Sequence, residues 1–584
     1  MRIYNSHFPP FDLSVARCSV FDYVFSSPVP GHKVAFIDGT NGSRRVTRDG
    51  LKEMCLSLAY GLRNNLEKMG AHPLHRGDVV MIFSPNSLEY PVMLLAAAAA
   101  GIRVTLANAA YTPKELAYQY KDSTAMHVFV DPVVLPVLLE TLTSLGVSDK
   151  DVQRRVVLMA FSDRIDEKFK DWIKLDDLIG TEKAERAAFD GMQSNTTLFL
   201  PYSSGTSGLP KGVETTHFNV NSLVTVVSPS EICESDIILA VLPFFHIYGL
   251  VQILMFNVFR GATTIILPRF DLNNFCNAIE KFHITFAYVV PPILVLLATH
   301  PLVEKFDFSS LRLFFSGAAP LSADTALRAQ TRLRARGGNV LIMQGYGLTE
   351  TSPTSHMMIT WAITTKAGSV GRLLPNLQTR LICEDEETDV EPGQPGELWI
   401  KGPTVMRQVS SAWGHEHISF VNRGYWRNEK ATRASITPDG WFKTGDIAVV
   451  DQDGFYFIVD RKKELIKYKG FQVPPAELEG LLLSHPQVED AAVIGLMSKA
   501  EATELPRGYI VPKGGLSSLD THAQSQLAIE IQEWVKSKVA YHKQLRGGVV
   551  CIDIIPKSAS GKILRRVLRD MAVQEAEAIE HARL

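Results

Sequence analysis

Short apolar runs alternate with longer helical patterns along much of the chain. Residues 79–83, 237–242 and 263–267 are apolar runs of strand length, and a stretch with helical spacing, 88–100, follows the first of them. Alternation of buried strands with helices is typical of layered α/β domains. We therefore predict a large, multi-layered α/β domain over residues 1–460.

The composition turns strongly charged at residues 460–464, and this is where we place a domain boundary. Beyond it, apolar side chains repeat with the spacing of an amphipathic helix over 527–535, and residues 549–555 form an apolar run of strand length. A chain of 584 residues is too long for one hydrophobic core. The pattern predicts a small α+β domain over 461–584 behind the large domain over 1–460.

Charge and hydrophobicity exclude several classes of partner. The formal net charge is −2, so no overall positive charge draws the chain to nucleic acid or to an anionic membrane. The basic cluster Arg565, Arg566 and Arg569 is interpreted as a solvated helix face. The apolar run 93–100 is too short to cross a bilayer, so we expect no transmembrane segment.

Cysteine usage and the two ends of the chain bear on the compartment. Six cysteines occur singly, in no C-x-x-C pair, which favours a reducing environment over a disulfide framework or a zinc site. The first residues have no basic stretch before a long apolar run, so we expect no secretory signal. The terminal Ala582-Arg583-Leu584 follows the small–basic–leucine pattern read by the peroxisomal import receptor. We predict a peroxisomal location, with the cytoplasm as the alternative.

A loop rich in glycine and hydroxyl groups carries the clearest chemistry. It reads SSGTSGLPKG from Ser203 to Gly212 and directly follows the apolar run 197–200. Glycines let backbone N–H groups approach an anion, hydroxyls add donors, and Lys211 adds a positive charge. Gly212 stands where the G-x-x-x-x-G-K-[ST] motif needs a hydroxyl for magnesium. The pattern predicts a triphosphate-binding loop outside the P-loop class; a flexible surface loop is the alternative.

This loop resembles the first core motif of the acyl-adenylate-forming superfamily, which includes 4-coumarate–CoA ligases, acyl-CoA synthetases, luciferase and peptide-synthetase adenylation domains. Further segments resemble that family's motifs in the same order: 344–350 (QGYGLTE), 396–402 (GELWIKG), 440–446 (GWFKTGD), 460–472 (DRKKELIKYKGFQ) and 556–565 (PKSASGKILR). The resemblance covers nearly the whole chain. It implies a large adenylating domain followed by a small, mobile lid domain that carries the catalytic lysine.

The resemblance implies that the protein activates a carboxylic acid. The acid would attack the α-phosphate of ATP to give acyl-AMP and pyrophosphate, and coenzyme A would then take the acyl group as a thioester. ATP, coenzyme A and Mg2+ are the implied cofactors and co-substrates, because a cation must offset the repulsion between two anionic reactants. The alternatives are an adenylating enzyme with another acceptor, such as a luciferase-like enzyme, and an inactive binding homologue. A peptide-synthetase module is disfavoured, since the chain ends soon after Lys562.

The resemblance also assigns roles to individual residues. ATP or AMP would contact Ser203, Ser204, Gly205, Thr206, Ser207, Gly208, Lys211, Gln344, Gly345, Tyr346, Gly347, Thr349, Asp446, Arg461, Lys467, Gln472 and Lys562. Catalysis would use Lys562, His246, Thr349 and Glu350, with magnesium held by Thr206 and Glu350. The acyl group would contact Tyr248, Gln252, Gly317, Ala318, Gly345, Gly347, Pro353 and Thr354. Coenzyme A would contact Arg269, Lys469 and Gly470, and the small domain would rotate at Asp460 or Lys463.

The chain departs from the family pattern at three places. Gln252 replaces a smaller residue of the plant enzymes and Thr354 an aliphatic one, so aryl, arylacetic and medium-chain fatty acids all stay open as substrates. Residues 407–423 are additional to the usual pattern. They are either a surface loop or the translated remnant of an intron, and we favour the remnant because the segment has no clear period.

Overall fold

The computed structural model describes residues 1–203, 209–227, 231–406, 424–469, 471–498, 501, 503–558 and 561–581, without the side chains of Asp163, Gln472 and residues 576–581. Several predicted features lie outside these described residues: Ser204, Gly205, Thr206, Ser207 and Gly208 of the phosphate loop, Gly470, the segment 407–423 and the terminal Ala582-Arg583-Leu584. The interpretations given to them stay predictions.

The strands of the described chain are β1 (Tyr4–Asn5), β2 (Val34–Asp38), β3 (Arg45–Thr47), β4 (Val79–Phe83), β5 (Arg103–Ala107), β6 (His127–Val130), β7 (Val156–Leu158), β8 (Thr197–Ser203), β9 (Lys211–Gly212), β10 (Thr215–Thr216), β11 (Ile237–Ala240), β12 (Thr263–Ile266), β13 (Phe286–Val289), β14 (Leu313–Ser316), β15 (Leu341–Gly347), β16 (Thr354–Met357), β17 (Gly371–Leu373), β18 (Gln378–Ile382), β19 (Gly396–Lys401), β20 (Phe442–Val450), β21 (Phe455–Arg461), β22 (Ile466–Tyr468), β23 (Phe471–Val473), β24 (Val488–Ser498), β25 (Thr503–Pro512) and β26 (Val549–Cys551).

The α-helices are α1 (Val20–Val24), α2 (Arg48–Asn64), α3 (Glu89–Ala100), α4 (Pro113–Ser123), α5 (Leu135–Ser144), α6 (Asp149–Arg155), α7 (Leu175–Leu178), α8 (His217–Val226), α9 (Phe256–Arg260), α10 (Leu272–Phe282), α11 (Pro291–Thr299), α12 (Ala323–Arg334), α13 (Glu429–Ser435), α14 (Pro475–Leu483), α15 (Thr521–Lys536) and α16 (Arg565–His581). A π-helical segment, Tyr248–Met255, leads into α9. Among the described helices, none is both long enough and apolar enough to span a bilayer.

Two large sheets form the body of the molecule. The first has the order β10-β8-β5-β4-β6-β7, with β9 paired to β8, and its central pairs are parallel. The second has the order β1-β18-β19-β20-β21-β17-β16-β15-β14-β13-β11-β12-β2-β3. Its strands from β15 to β2 pair in parallel, whereas those from β15 to β1 pair antiparallel. The structure confirms the predicted α/β class.

The local predictions for the large domain agree with these elements. The apolar run 79–83 is β4, in which every residue is buried, and the two other predicted runs contain β11 and β12. The predicted helix 88–100 is α3, which is buried along its whole length between other elements. A helix that is apolar all round packs in this way because it has no face to offer to water.

The small domain is built around a three-stranded sheet, β24-β25-β26. Its α15 buries Leu527, Ile531 and Val535, which confirms the predicted amphipathic helix. The predicted strand 549–555 is shorter, because only Val549–Cys551 pair with β25. The predicted boundary after residue 460 falls at the end of β21, and the exact domain limits stay a prediction.

One interpretation of the sequence was wrong. Arg565 is not part of a solvated helix face: its guanidinium donates to both carboxylate oxygens of Glu479 at 2.7 Å and to Glu464 at 2.5 Å. The free-energy cost of burying this cation is offset by the two carboxylates, which raise the pKa of Arg565. Arg566, by contrast, is exposed.

Candidate active site

A cavity of about 1240 Å3 opens where the carboxyl ends of β8, β14 and β15 meet the antiparallel strands β20 and β21 and the loop that carries Lys562. Ligands bind at such strand ends in open α/β sheets, because loops and helix termini converge there. The cavity is lined by many predicted site residues: Ser203, Lys211, His246, Tyr248, Gly317, Ala318, Gly345, Tyr346, Gly347, Thr349, Glu350, Pro353, Thr354, Asp446, Arg461, Lys463, Lys467 and Lys562.

A buried carboxylate and an aromatic ring lie on one wall of the cavity. Tyr346, in β15, donates its hydroxyl to Asp446 Oδ2 at 2.6 Å, and Arg461 Nε lies 3.4 Å from Asp446 Oδ1. Asp446 and Arg461 are register partners on β20 and β21, which explains how residues distant in sequence meet here. Burial raises the pKa of Asp446, while the charge of Arg461 opposes that shift. The wall therefore presents a flat ring beside an acceptor group.

Lys562 enters the same cavity from the small domain. Its turn is closed by Ser558, whose backbone N–H donates to the Lys562 carbonyl at 2.8 Å and whose Oγ accepts from the Lys562 N–H at 3.1 Å. Gly561 has φ +80° and packs against the large domain, where a Cβ would lie 3.3 Å from Val290 and Pro292 atoms. Burial lowers the pKa of Lys562 to about 8, and the nearby Arg461 adds to the effect.

The floor near the phosphate loop is organised by Glu350. Its Oε1 accepts hydrogen bonds from Ser203 Oγ at 2.9 Å and from the hydroxyl of Tyr425 at 2.8 Å. Lys211 Nζ lies 5.0 Å from the centre of the Tyr425 ring. Ser203 and Lys211 lie near the two ends of the phosphate loop. Ser203 contacts the Glu350 carboxylate, and Lys211 lies over the ring of Tyr425, whose hydroxyl contacts the same carboxylate.

The opposite wall is apolar and closely packed. Burial lowers the pKa of His246 to about 4, so its imidazole is neutral at pH 7, and its Nδ1 accepts from the Tyr248 N–H at 3.3 Å. The Tyr248 hydroxyl donates to the Phe315 carbonyl at 3.0 Å. A Cβ on Gly317 would lie 3.3 Å from the Tyr248 ring, and one on Gly345 would lie 2.4 Å from Phe315. These glycines let the aromatic rings pack directly on the strand ends.

A polar pair lies within this apolar wall. Gln252 Nε2 donates to Thr354 Oγ1 at 2.7 Å, and both residues are only 4% exposed. Thr354 lines the cavity, whereas Gln252 lies behind it and reaches the cavity through that hydroxyl. An acyl group bound here would therefore meet a hydroxyl whose orientation is fixed by an amide.

Comparison with known proteins agrees with this geometry. A family model described as "AMP-binding enzyme" matches residues 27–409, which is more than half of the chain. The chain belongs to the AMP-binding enzyme family. A second model, described as "AMP-binding enzyme C-terminal domain", matches residues 477–562 of the small domain and includes Lys562.

Curated relatives and solved structures resemble this AMP-binding enzyme along most of its length. The chain is 37% identical over 520 residues to "Probable 4-coumarate–CoA ligase 1" of Dictyostelium discoideum, covering 85% of this chain and 86% of that one. It is 35% identical to "4-coumarate–CoA ligase-like 4" of Oryza sativa subsp. japonica, covering 93% and 91%. ATP-bound MatB from Rhodopseudomonas palustris superposes with a TM-score of 0.76 at 25% identity, covering 95% and 98%. The anthranilate CoA ligase AuaEII, in complex with anthranoyl-AMP, shares the fold with a TM-score of 0.78 at 23% identity, covering 96% and 98%.

Some residues that resemble the family motifs lie outside the cavity lining. Gln344 accepts from the Leu321 N–H at 3.3 Å, and Asp460 accepts from the Ala476 N–H at 2.9 Å. Arg269 is exposed, and Lys469 forms an exposed ion pair of 2.8 Å with Glu501. The backbone of Gln472 lies in β23, and its side chain is outside the description.

Two groups of this AMP-binding enzyme were missed by sequence reasoning. Tyr425 was assigned no role from the sequence, yet its hydroxyl donates to Glu350. Lys462, in the charged boundary segment, lies 2.9 Å from both Glu386 and Glu397. A reading of single motifs could not pair these residues, because their partners come from strands and loops far along the chain.

Proposed function

We propose that this AMP-binding enzyme is an ATP-dependent acid–CoA ligase that proceeds through an acyl-AMP intermediate. The observation that carries the proposal is the position of Lys562: a cation of the small domain lies in a cavity of the large domain that also holds the Tyr346–Asp446 wall. An adenylation site needs such a cation, because a carboxylate must approach the α-phosphate of ATP.

The nucleotide would bind between the phosphate loop and the Tyr346–Asp446 wall. Tyr346 offers a ring for the adenine base, and Asp446 offers a carboxylate that can accept from both ribose hydroxyls. Lys562, with a pKa of about 8, is about nine-tenths protonated at pH 7 and would hold the α-phosphate and the acyl oxygen. Thr349 would contact the same phosphate.

Glu350 fits the role of a magnesium ligand. No group of three or more His, Cys, Asp or Glu side chains among the described residues could hold a metal ion by itself, and magnesium in nucleotide sites commonly takes one or two carboxylates and shares the phosphates. Both of the hydrogen bonds above reach Glu350 Oε1, so Oε2 has no such partner among the described residues. Thr206 would complete the protein ligands, and the ion would supply charge neutralisation on the phosphates.

Thioester formation would require the small domain to rotate. In the present arrangement Lys562 lines the cavity, as adenylation would require, while Lys469 and Arg269 are exposed and lie outside it. Rotation at Asp460 or Lys463 would withdraw Lys562 and bring Lys469 and Gly470 to the site, with Arg269 offering positive charge for the phosphates of coenzyme A. One cavity would then serve both half-reactions.

The acyl pocket supports an uncharged aryl or alkyl group. His246 is neutral at pH 7, and the packed rings of Tyr248 and Phe315 form an apolar wall beside the Gln252–Thr354 pair. Aryl, arylacetic and medium-chain fatty acids are the candidates, and secondary metabolism is the proposed context. The similarity to 4-coumarate–CoA ligases favours beginning with aryl acids.

The enzyme would be tested with a panel of these acids, ATP and MgCl2, with and without coenzyme A. We expect pyrophosphate release with one class of acid, and AMP together with an acyl-CoA of the matching mass when coenzyme A is added. Acyl-AMP formation without a thioester for every acid would contradict the ligase and favour another acceptor. No pyrophosphate with any acid would favour the inactive binding homologue.

We also propose that Ala582-Arg583-Leu584 directs the enzyme to peroxisomes. A fluorescent protein fused to the amino terminus leaves the carboxyl end free for the import receptor. The fusion should co-localise with a peroxisomal marker, and deletion of the tripeptide should make it diffuse. A diffuse full-length fusion would contradict the proposal and favour the cytoplasm.

A further inference from the structure

We infer that Tyr425 is a positioning residue. It holds the Glu350 carboxylate and the Lys211 ammonium in position to bind magnesium and ATP. The inference rests on the proposed function, because it concerns the phosphate side of the same site. It starts from two contacts of one side chain: the Tyr425 hydroxyl donates to Glu350 Oε1 at 2.8 Å, and the ring lies 5.0 Å from Lys211 Nζ.

The backbone of Tyr425 is fixed to the strand that follows the phosphate loop. The Trp426 N–H donates to the Gly212 carbonyl at 2.7 Å, and the Glu214 N–H donates to the Gly424 carbonyl at 2.9 Å. Between these bonds, Tyr425 forms an antiparallel bridge with Val213. The ring is therefore placed relative to the loop by backbone pairing and does not depend on its own side-chain contacts alone.

A second set of contacts fixes Tyr425 from the other side. Its N–H donates to Thr432 Oγ1 at 2.9 Å, and a Cβ on Gly424 would lie 2.3 Å from Thr432 Cγ2. Tyr425 is only 8% exposed, although it lines the cavity, so its packing restricts the movement of its ring. A rigid donor of this kind fixes the rotamer of the carboxylate that it contacts.

Tyr425 acts on two different groups through two different parts of its side chain. The hydroxyl, together with Ser203 Oγ, holds Oε1 of Glu350, while neither of these bonds occupies Oε2. The ring attracts the Lys211 ammonium through its negative face. The hydroxyl should therefore control the response to magnesium, whereas the ring should control the attraction between the protein and the phosphates.

Two substitutions separate these effects. Tyr425→Phe keeps the ring and removes the hydroxyl, and Tyr425→Leu removes both. The matched control is Tyr23→Phe, because the Tyr23 hydroxyl is also buried and is 2.7 Å from Thr225 Oγ1, in a part of the large domain away from the cavity. ATP affinity would be measured by isothermal titration calorimetry on the full chain, in EDTA and over a series of MgCl2 concentrations, with thermal unfolding recorded for each variant.

For Tyr425→Phe we expect ATP affinity in EDTA to match wild type and the magnesium-dependent gain in affinity to fall by about tenfold, the usual effect of removing a hydrogen bond to a charged group. For Tyr425→Leu we expect ATP affinity in EDTA to fall as well, by about threefold to tenfold. Tyr23→Phe should leave both quantities unchanged.

A Phe variant with the magnesium response of wild type would overturn the inference. So would a Phe variant that loses ATP affinity in EDTA, or a Tyr23→Phe variant with the same loss of magnesium response, because either result indicates general loosening of the fold. The Phe variant decides the question by itself if the Leu variant does not fold. Wild-type ATP binding and its gain with magnesium test the proposed function, whereas only the ratio of variant to wild type tests Tyr425.

Discussion

Replacing Lys562 by Met should make the protein more stable at neutral pH while it abolishes adenylation. Methionine has a similar length and no charge. Burial and the neighbouring Arg461 lower the pKa of Lys562 from the ordinary 10.5 to about 8. A shift of one pKa unit corresponds to about 1.4 kcal/mol, so holding the ammonium in this cavity costs about 3 kcal/mol at pH 7.

The stability gained by Lys562→Met should depend on pH, and the direction of the pKa shift determines how. The folded protein binds the Lys562 proton more weakly than the unfolded chain does, so the cost is complete below pH 8. As the pH rises from 8 to 10.5, the folded protein releases the proton first and the cost disappears. The stabilisation by Lys562→Met should therefore be largest at pH 7 and close to zero above pH 10.5.

Differential scanning calorimetry of the full chain at several pH values would measure this effect as the difference in Tm between variant and wild type. We expect a rise on the order of several degrees at pH 7, and a smaller rise at each higher pH. Lys467→Met is the matched control, because Lys467 is an exposed lysine that lines the same cavity, and its removal should leave Tm nearly unchanged. A Lys562→Met variant with unchanged Tm at pH 7, or with a gain that does not depend on pH, would refute the reasoning.

The activity of the same variant tests the proposal that one cavity serves both half-reactions. Lys562→Met should abolish acyl-AMP formation, because the cation at the α-phosphate is lost. It should still form thioester from chemically supplied acyl-AMP and coenzyme A, because the proposed rotation of the small domain would withdraw Lys562 before that step. Equal loss of both half-reactions would contradict the rotation at Asp460 or Lys463.

Three further predictions follow from the contacts of single residues. Asp446→Asn should weaken ATP binding by about tenfold or more in calorimetry, because a charged acceptor is lost, and unchanged affinity would place the ribose elsewhere. Arg565→Met leaves the buried Glu479 carboxylate unpaired and should destabilise the small domain by about 3–5 kcal/mol in urea unfolding, whereas unchanged stability would indicate that the carboxylate finds another partner. Gln252→Leu frees the Thr354 hydroxyl and should change the ratio of kcat/KM between hydroxylated and unsubstituted aryl acids by about tenfold, and an unchanged ratio would mean that the acid does not contact this hydroxyl.

Much of the site was predictable because strand ends follow directly from the sequence pattern. The apolar run before Ser203 is β8, and the residues after it must therefore lie at the edge of a sheet. The segment 344–350 spans the end of β15 in the same way. Parallel strands bring their carboxyl ends to one edge of a sheet, where ligands bind. β8 and β15 belong to different sheets, so the meeting of their ends in one cavity depends on the packing of the two sheets. Resemblance to the family motifs then supplied the chemistry that the pattern alone left open.

Other features depend on pairings that no local pattern records. Arg565 looked like one of several basic residues on a helix, yet it is buried by carboxylates that lie far away in the sequence: Glu479, at a separation of 86 residues, and Glu464, at 101. Tyr425 meets Glu350 across 75 residues. Such contacts arise only when the sheets and the small domain have assembled. The segment 407–423 gave no periodicity from which to predict a structure, and it lies outside the described residues.

Lys562 and Arg565 lie in one short motif but differ in their surroundings: Arg565 is a structural cation, and Lys562 is the proposed catalytic one. Arg565 is ion-paired with Glu464 and Glu479, so its charge is stabilised inside the protein and its pKa is raised. Lys562 is partly buried, but no described carboxylate lies within ion-pair distance of its Nζ, and its pKa is lowered. Burial that is not compensated by the fold costs stability, and folds keep such groups where a charged substrate supplies the compensation. An anion that binds beside Lys562 should therefore raise its pKa and recover the free energy that burial costs, which links ATP binding to the position of the small domain.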